Sequence, residues 1–300
     1  MAKQATELSY AIRFRVIIKY FGQLCLVLSA LTLVPLVMSL IFGESSITLR
    51  YAVVVFGLAG LGLSTGRLRA PSSVQPNEGM VLVALMFLFT PLVMSYPMMS
   101  SGLTFVDALF EAISGVTTTG LSTKATLVGA PDSFLFGRAW MQWYGGLGII
   151  VLSLALVMQP GVVAKGLSVT EKESEDLVGG TQARSRQVLK VYGVLTALGI
   201  IGSLLAGVGF FDSILYTFGA VSTGGFAPHD GSLRTLGWLP QAWITLLCLV
   251  GAIPLTLYLR MFQRKRHVAV DFLQLQAVLF FSVIASLALG TVMRLSAGMS

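Results

Sequence analysis

Long apolar runs separated by short polar connections recur along the whole chain, and their lengths predict helices rather than strands. Runs close to the roughly 20 apolar residues that carry a helix across a bilayer are read at about residues 17–42, 51–66, 79–99, 138–158, 188–208, 238–260 and 270–292. Two further apolar segments, 104–115 and 210–220, are too short to cross. Each leads directly into a stretch rich in Thr, Ser and Gly, "VTTTGLST" from Val116 and "VSTGGFAPHD" from Val221. The pattern predicts an all-α polytopic membrane protein with seven spans and two re-entrant half-helices. Arg13, Arg15 and Lys19 precede the first run as in a signal peptide, but that run is too long and lacks a small-residue cleavage site, so a retained first helix is expected.

The two interruptions belong to a repeat. "FVDALFEAISGVTTTGL" from Phe105 aligns without a gap to "FFDSILYTFGAVSTGGF" from Phe210, at an offset of 105 residues, as from Asp107 to Asp212. Val116 pairs with Val221, Thr118 with Thr223 and Gly120 with Gly225. Non-helical backbone at membrane depth is tolerated only where protein buries it or where it lines a water-filled cavity. The repeated turn therefore marks a pore or a binding cavity. Each half-helix points its C-terminus, the negative end of its dipole, toward the turn, which favours a cation there. Val116, Thr117, Thr118, Thr119 and Gly120, with Val221, Ser222, Thr223, Gly224 and Gly225, can then present backbone carbonyls that replace a cation's water. At the other end of the first half-helix, Thr104 and Asp107 have the spacing of an N-terminal cap.

Composition agrees with the membrane reading. Of 300 residues 55% are hydrophobic and 11% charged, and the mean hydropathy is +0.83. The net charge of +7 does not form a basic face with interleaved aromatics, so nucleic acid is not an expected partner. Instead the Lys and Arg residues sit at the ends of apolar runs. With a cytoplasmic N-terminus, Arg67, Arg69, Lys165, Arg184, Arg260 and their neighbours fall inside, whereas Arg50, Lys124, Arg138, Arg234 and Arg294 fall outside. Both turns then enter from the outer side. Residues 159–187 form the longest connection and read as a solvated cytoplasmic linker.

At these residues the sequence resembles a known family. "FEAISGVTTTGLST", then "GRAWMQWYGGLGIIVLSLAL", then "AVSTGGFAPHD" are similar to the pore-forming membrane subunit of Trk/Ktr-type potassium transporters, relatives of the fungal Trk and plant HKT proteins. The resemblance runs from about residue 10 to the end. It implies potassium-channel-like repeats of span, re-entrant half-helix, filter and span, preceded by two extra spans, with four repeats around a K⁺ pathway. It carries the filter glycines to Gly120 and Gly225. Further implications are K⁺ as the transported ion with no covalent cofactor, a cytosolic nucleotide-binding regulatory subunit as partner, a homodimer of the complete subunit, and residence among the lipids of the cell inner membrane.

On this resemblance, residues 1–78 are an N-terminal pair of helices and 79–160 a first pore repeat. Residues 161–187 are the linker, 188–266 a second repeat, and 267–300 the first helix of an incomplete third. The third and fourth turns of the family have no counterpart in the 300 residues, so a longer polypeptide or a second chain is expected to supply them. Potassium uptake through a carbonyl-lined filter is the expected function. Its rival is a non-conducting, truncated or regulatory membrane subunit that only binds partners.

Other motifs have simpler readings. "GLSTG" at Gly62–Gly66 matches a hydrolase nucleophile pattern but closes a membrane span, where close helix packing accounts for it. Gly145, Gly146 and Gly148 read as a packing surface against the filter, Arg138 as snorkelling to the interface, and His229 with Asp230 as an outer loop turn. Glu111 is expected either to support its half-helix or to attract cations. Cys25 and Cys248 lie in apolar runs as free thiols, and no catalytic or further metal-binding residues are expected.

Overall fold

The computed structural model describes residues 12–69, 74–157, 171–254, 257–258 and 268–297. Among them there are helices and no strands. In chain order these are α1 (Phe14–Ile41), α2 (Ser45–Gly66), α3 (Pro76–Met98), α4 (Phe105–Val116), α5 (Asp132–Val157), α6 (Glu171–Leu205), α7 (Phe210–Val221), α8 (Trp238–Gly251) and α9 (Val268–Ala297). Among the described residues four helical segments, Phe14–Ile41, Ser45–Gly66, Asn77–Ser101 and Gln187–Leu205, are long and apolar enough to cross a membrane. With 26 residues, α5 reaches about 39 Å at 1.5 Å per residue. The two 12-residue half-helices, α4 and α7, reach about 18 Å and cannot cross.

Helices α1 and α2 form a close antiparallel pair. A side chain at Gly22 would collide with Thr65, and one at Gly62 with Leu26 and the Gly22 carbonyl, so the motif at Gly62–Gly66 is a helix contact. This pair packs with α3, α4 and α5 around a first core that includes Cys25, Tyr51, Met98, Phe134 and Trp140. A second core joins α6, α7 and α8 through Val188, Tyr192, Tyr216, Val221 and Leu247. Trp143 of α5 borders both clusters, with its ring 5.6 Å from that of Phe218. The exposed positions are themselves apolar, as at Val27, Phe56, Leu88 and Leu198, which is the surface a lipid solvent requires.

Among the boundaries that differ from the sequence reading, three have a visible cause or consequence. Helix α5 starts at Asp132 rather than near 138, because Glu44 caps it: Oε1 and Oε2 accept from the Asp132 and Ser133 N–H groups at 2.9 and 3.1 Å. A carboxylate at a helix N-terminus satisfies orphan donors and opposes the dipole. The span expected at 238–260 is interrupted, since α8 stops at Gly251 and the chain leaves the helix before Pro254, whose ring removes an N–H and disfavours α geometry in the preceding residue. The connection read as a linker is helical from Glu171, and its first part, 159–170, lies outside the described residues.

Candidate functional site

The two half-helices end in the same way. In α4 the N–H groups of Thr117, Thr118 and Thr119 donate to the carbonyls of Ile113, Gly115 and Ser114. In α7 those of Ser222, Thr223 and Gly224 donate to Phe218, Ala220 and Gly219, the same bonds displaced by 105 residues, as from Thr118 to Thr223. This is a Schellman ending, which requires a left-handed residue just past the helix. Glycine usually fills that place. Here Thr118 has φ +54° and Thr223 has φ +52°, a conformation costly for a β-branched side chain. Two residues later Gly120 and Gly225 are left-handed again, at +78° and +87°.

The ten sequence-predicted residues lie together where the two turns meet. Val116 and Val221 close their half-helices and are buried. Thr117 and Ser222 turn their hydroxyls back to Ile113 and Phe218, each at 2.7 Å. Thr119, Thr223 and Gly225 are exposed. Gly120 approaches the other turn so closely that a Cβ there would lie 2.1 Å from the Gly224 carbonyl oxygen. Behind the turns, glycines of the following helices admit the last carbonyls: a Cβ on Gly145 would stand 2.2 Å from Val116 O, and one on Gly251 2.9 Å from Val221 O. Gly146 faces Ser222, whereas Gly148 faces nothing within 4 Å. The expected packing surface is therefore Gly145 and Gly146.

Arg138 does not snorkel. Its side chain is 4% exposed and its Nε lies 3.0 Å from Glu111 Oε2. It sits over the Phe226 ring at 4.0 Å. The sequence places Arg138 near a predicted helix start, where an interfacial position is the simple expectation, but the six preceding helical residues carry it inward. Glu111 is fully buried, and its other oxygen accepts from the Ser122 hydroxyl at 2.5 Å and the Thr123 N–H at 2.8 Å. Of its two expected roles, the contacts are those of a structural support. A cavity of about 10 Å³ beside Arg138, Leu135 and Phe226 has room for about one water, next to a guanidinium Nη1 that has no protein partner.

Sequence reasoning missed Gln142, which is fully buried and bonds across to the second turn. Nothing in its local pattern signals this, because its partners Gly224 and Phe226 lie more than 80 residues away. At the outer end, Asp230 accepts from the Thr126 hydroxyl at 2.6 Å and the Leu127 N–H at 2.7 Å, joining the loops that follow the two turns. These bonds hold its carboxyl below the usual range. His229 pairs with Asp212 at 2.7 Å. No group of three or more His, Cys, Asp or Glu suited to a metal ion occurs among the described residues.

Residues 90–293 match the family described as TrkH, cation transport protein. The Trk system potassium uptake protein TrkI of Halomonas elongata is 30% identical over 299 residues, covering 95% of this chain and 59% of that protein. The Trk system potassium uptake protein TrkH of Escherichia coli K12 is 30% identical over 228 residues, 73% of this chain and 47% of that protein. The crystal structure of the potassium transporter TrkH from Vibrio parahaemolyticus superposes with a TM-score of 0.73 at 24% identity, covering 91% of this chain and 57% of that one. The chain thus spans about half the length of the relatives it matches.

Proposed function

The chain belongs to the TrkH family of cation transport proteins, not to a family of enzymes, and from that premise we propose that its two turns form part of a K⁺ filter. Carbonyls within Val116–Gly120 and Val221–Gly225 make up two of its quadrants, while those of Val116 and Val221 stand against Gly145 and Gly251 and that of Gly224 is held by Gln142. Residues 79–160 and 188–266 are the corresponding pore repeats, 1–78 is the leading helix pair, and 161–187 links the repeats on the cytoplasmic side. The complete subunit pairs as a homodimer in the cell inner membrane and meets a cytosolic nucleotide-binding regulatory subunit. The potassium uptake named for the relatives supports K⁺ as the ion.

One observation carries the reading: two half-helices end in the same hydrogen bonds and the same pair of left-handed residues, and the turns touch at Gly120 and Gly224. The helix ending accounts for the first left-handed residue of each pair but not for the second, at Gly120 and Gly225, which supports a backbone shaped to coordinate an ion. Gly225→Ser is the clean test, because a Cβ there meets nothing closer than Gly120 Cα at 3.9 Å. Only the left-handed backbone opposes it, by about 1–2 kcal/mol. In proteoliposomes of the complete assembly we expect the K⁺ over Na⁺ flux ratio to fall by about tenfold, equivalent to about 1.4 kcal/mol. Gly120→Ser adds a backbone collision and should be more severe. Unchanged selectivity in both removes the turns from the ion path, and no K⁺ flux from the assembled parent protein would favour the non-conducting subunit.

A further inference from the structure

Gly225 holds φ +87° on the exposed side of its turn, with almost nothing packed against it. Something else must keep this backbone in place. The two residues that flank it are both bonded to one side chain. Gln142 Nε2 donates to the Gly224 carbonyl at 2.7 Å, and Gln142 Oε1 accepts from the Phe226 N–H at 3.1 Å. A primary amide carries a donor and an acceptor on adjacent atoms, so it can grip a carbonyl and an N–H two residues apart. An apolar side chain makes neither bond, and a hydroxyl would have to make both through a single oxygen rather than through two adjacent atoms.

The grip crosses between repeats. Gln142 lies on α5, which follows the first turn, yet it holds the second. Arg138, one helical turn earlier, rests on the Phe226 ring at 4.0 Å while its charge is paired with Glu111, whose other oxygen binds Ser122 and Thr123 beyond the first turn. One face of α5 is therefore linked through Glu111 to the chain after Gly120 and bonded directly to the chain around Gly225. Among the described residues the second repeat shows no such device. Aligned on Gly145 and Gly251, which admit equivalent carbonyls, Arg138 and Gln142 correspond to Ile244 and Cys248.

Resting on the filter reading above, we propose that Gln142 is a positioning residue for ion selectivity: its amide fixes the peptide planes on either side of Gly225 and thereby the direction of the carbonyls there. Without it the Gly224 carbonyl and the buried Phe226 N–H lose their partners, and the peptide between Gly224 and Gly225 is free to rotate. Carbonyl direction and rigidity are what discriminate between dehydrated cations.

The test is the K⁺ over Na⁺ flux ratio of the complete assembly carrying Gln142→Met, which keeps the side-chain length and removes both bonds. A drop of about fivefold to tenfold, the worth of one to two buried hydrogen bonds, is expected while total cation flux persists. Thr196→Val is the structural control, because it breaks a comparable bond from Trp143 of α5 to α6, at 2.9 Å, without touching either turn. It should lower the melting temperature and leave the ratio unchanged. If Gln142→Met does not assemble, Gln142→Glu carries the test, since an ionised carboxylate still accepts from Phe226 but cannot donate to Gly224. An unchanged ratio in whichever variant assembles, or failure of both to assemble, overturns the proposal and leaves Gln142 a folding residue. Gly225→Ser in the same assay separates the two ideas: if it alters selectivity and Gln142→Met does not, only the positioning role falls.

Discussion

Thr118 and Thr223 each hold a left-handed backbone that costs an L-residue about 1–2 kcal/mol, so the turns persist only because their surroundings over-determine them. Much of that support in the first repeat comes through the pair Glu111 and Arg138. Burial of both charges means that their worth lies in mutual satisfaction rather than in net attraction. The two partners are not equivalent. Without Arg138, Glu111 still accepts from the Ser122 hydroxyl and the Thr123 N–H. Without Glu111, Arg138 keeps only aromatic faces, those of Phe226 and Phe134. Glu111→Leu should therefore cost about 3–5 kcal/mol in reversible unfolding, and Arg138→Met less. The double variant should lose less than the sum of the two. It should not return to the parent value, because the donors of Ser122 and Thr123 stay unpaired. Additive losses would show that the pair is not coupled.

Among the helices, α5 does the most to place the turns, and its glycines give that claim a sharp contrast. Gly145 lets the helix lie against the end of α4, where a Cβ would stand 2.2 Å from a backbone oxygen that cannot move aside. Gly145→Ala should cost about 1–3 kcal/mol as an overpacked contact and reduce K⁺ selectivity. Gly148→Ala, three residues on with nothing within 4 Å, should instead gain about 0.5–1 kcal/mol from helix propensity. Thermal unfolding of the two variants checks the difference in sign, and equal effects would remove Gly145 from the contact. The half-helices and both turns were legible in sequence because their signals are local: an apolar run of about 12 residues, a capping Thr104, and Thr and Gly in a repeated register. The start of α5 was not, because its cap is Glu44, 88 residues earlier in the chain. Gln142 and Arg138 stayed hidden for the same reason, since one polar side chain in an apolar helix has no periodicity to betray its partner. The end of α8 was encoded by Pro254, but the hydrophobic run continues through it and hides the break.

For the molecule as a whole, the contacts sort the connections into two ends. Glu44 with Asp132, Arg50 with the Tyr96 carbonyl, Lys124 with the Ser101 carbonyl, and Asp230 with Thr126 all lie at the end where the half-helices enter. Arg13 with Glu78, at 2.8 Å, ties α1 to α3 at the other. The end that holds Arg13 also receives the terminus of α2 at Arg67 and Arg69, and on the distribution of basic residues we propose that it is the cytoplasmic one. On the proposed filter reading, that assignment decides from which side a hydrated cation would meet the turns. Two positions report on it directly: Val128, 85% exposed between the first turn and α5, and Leu68, 42% exposed just past α2. With Cys25 and Cys248 replaced by alanine, Val128→Cys in intact cells should react with a membrane-impermeant maleimide, whereas Leu68→Cys should react only after permeabilisation. Both substitutions lie outside the packed helices, so neither should change the amount of folded protein. The opposite labelling pattern would invert the molecule, and with it the direction from which ions reach Gly120 and Gly225. Labelling of both positions in intact cells would mean that α3 does not carry the chain between opposite sides of the membrane.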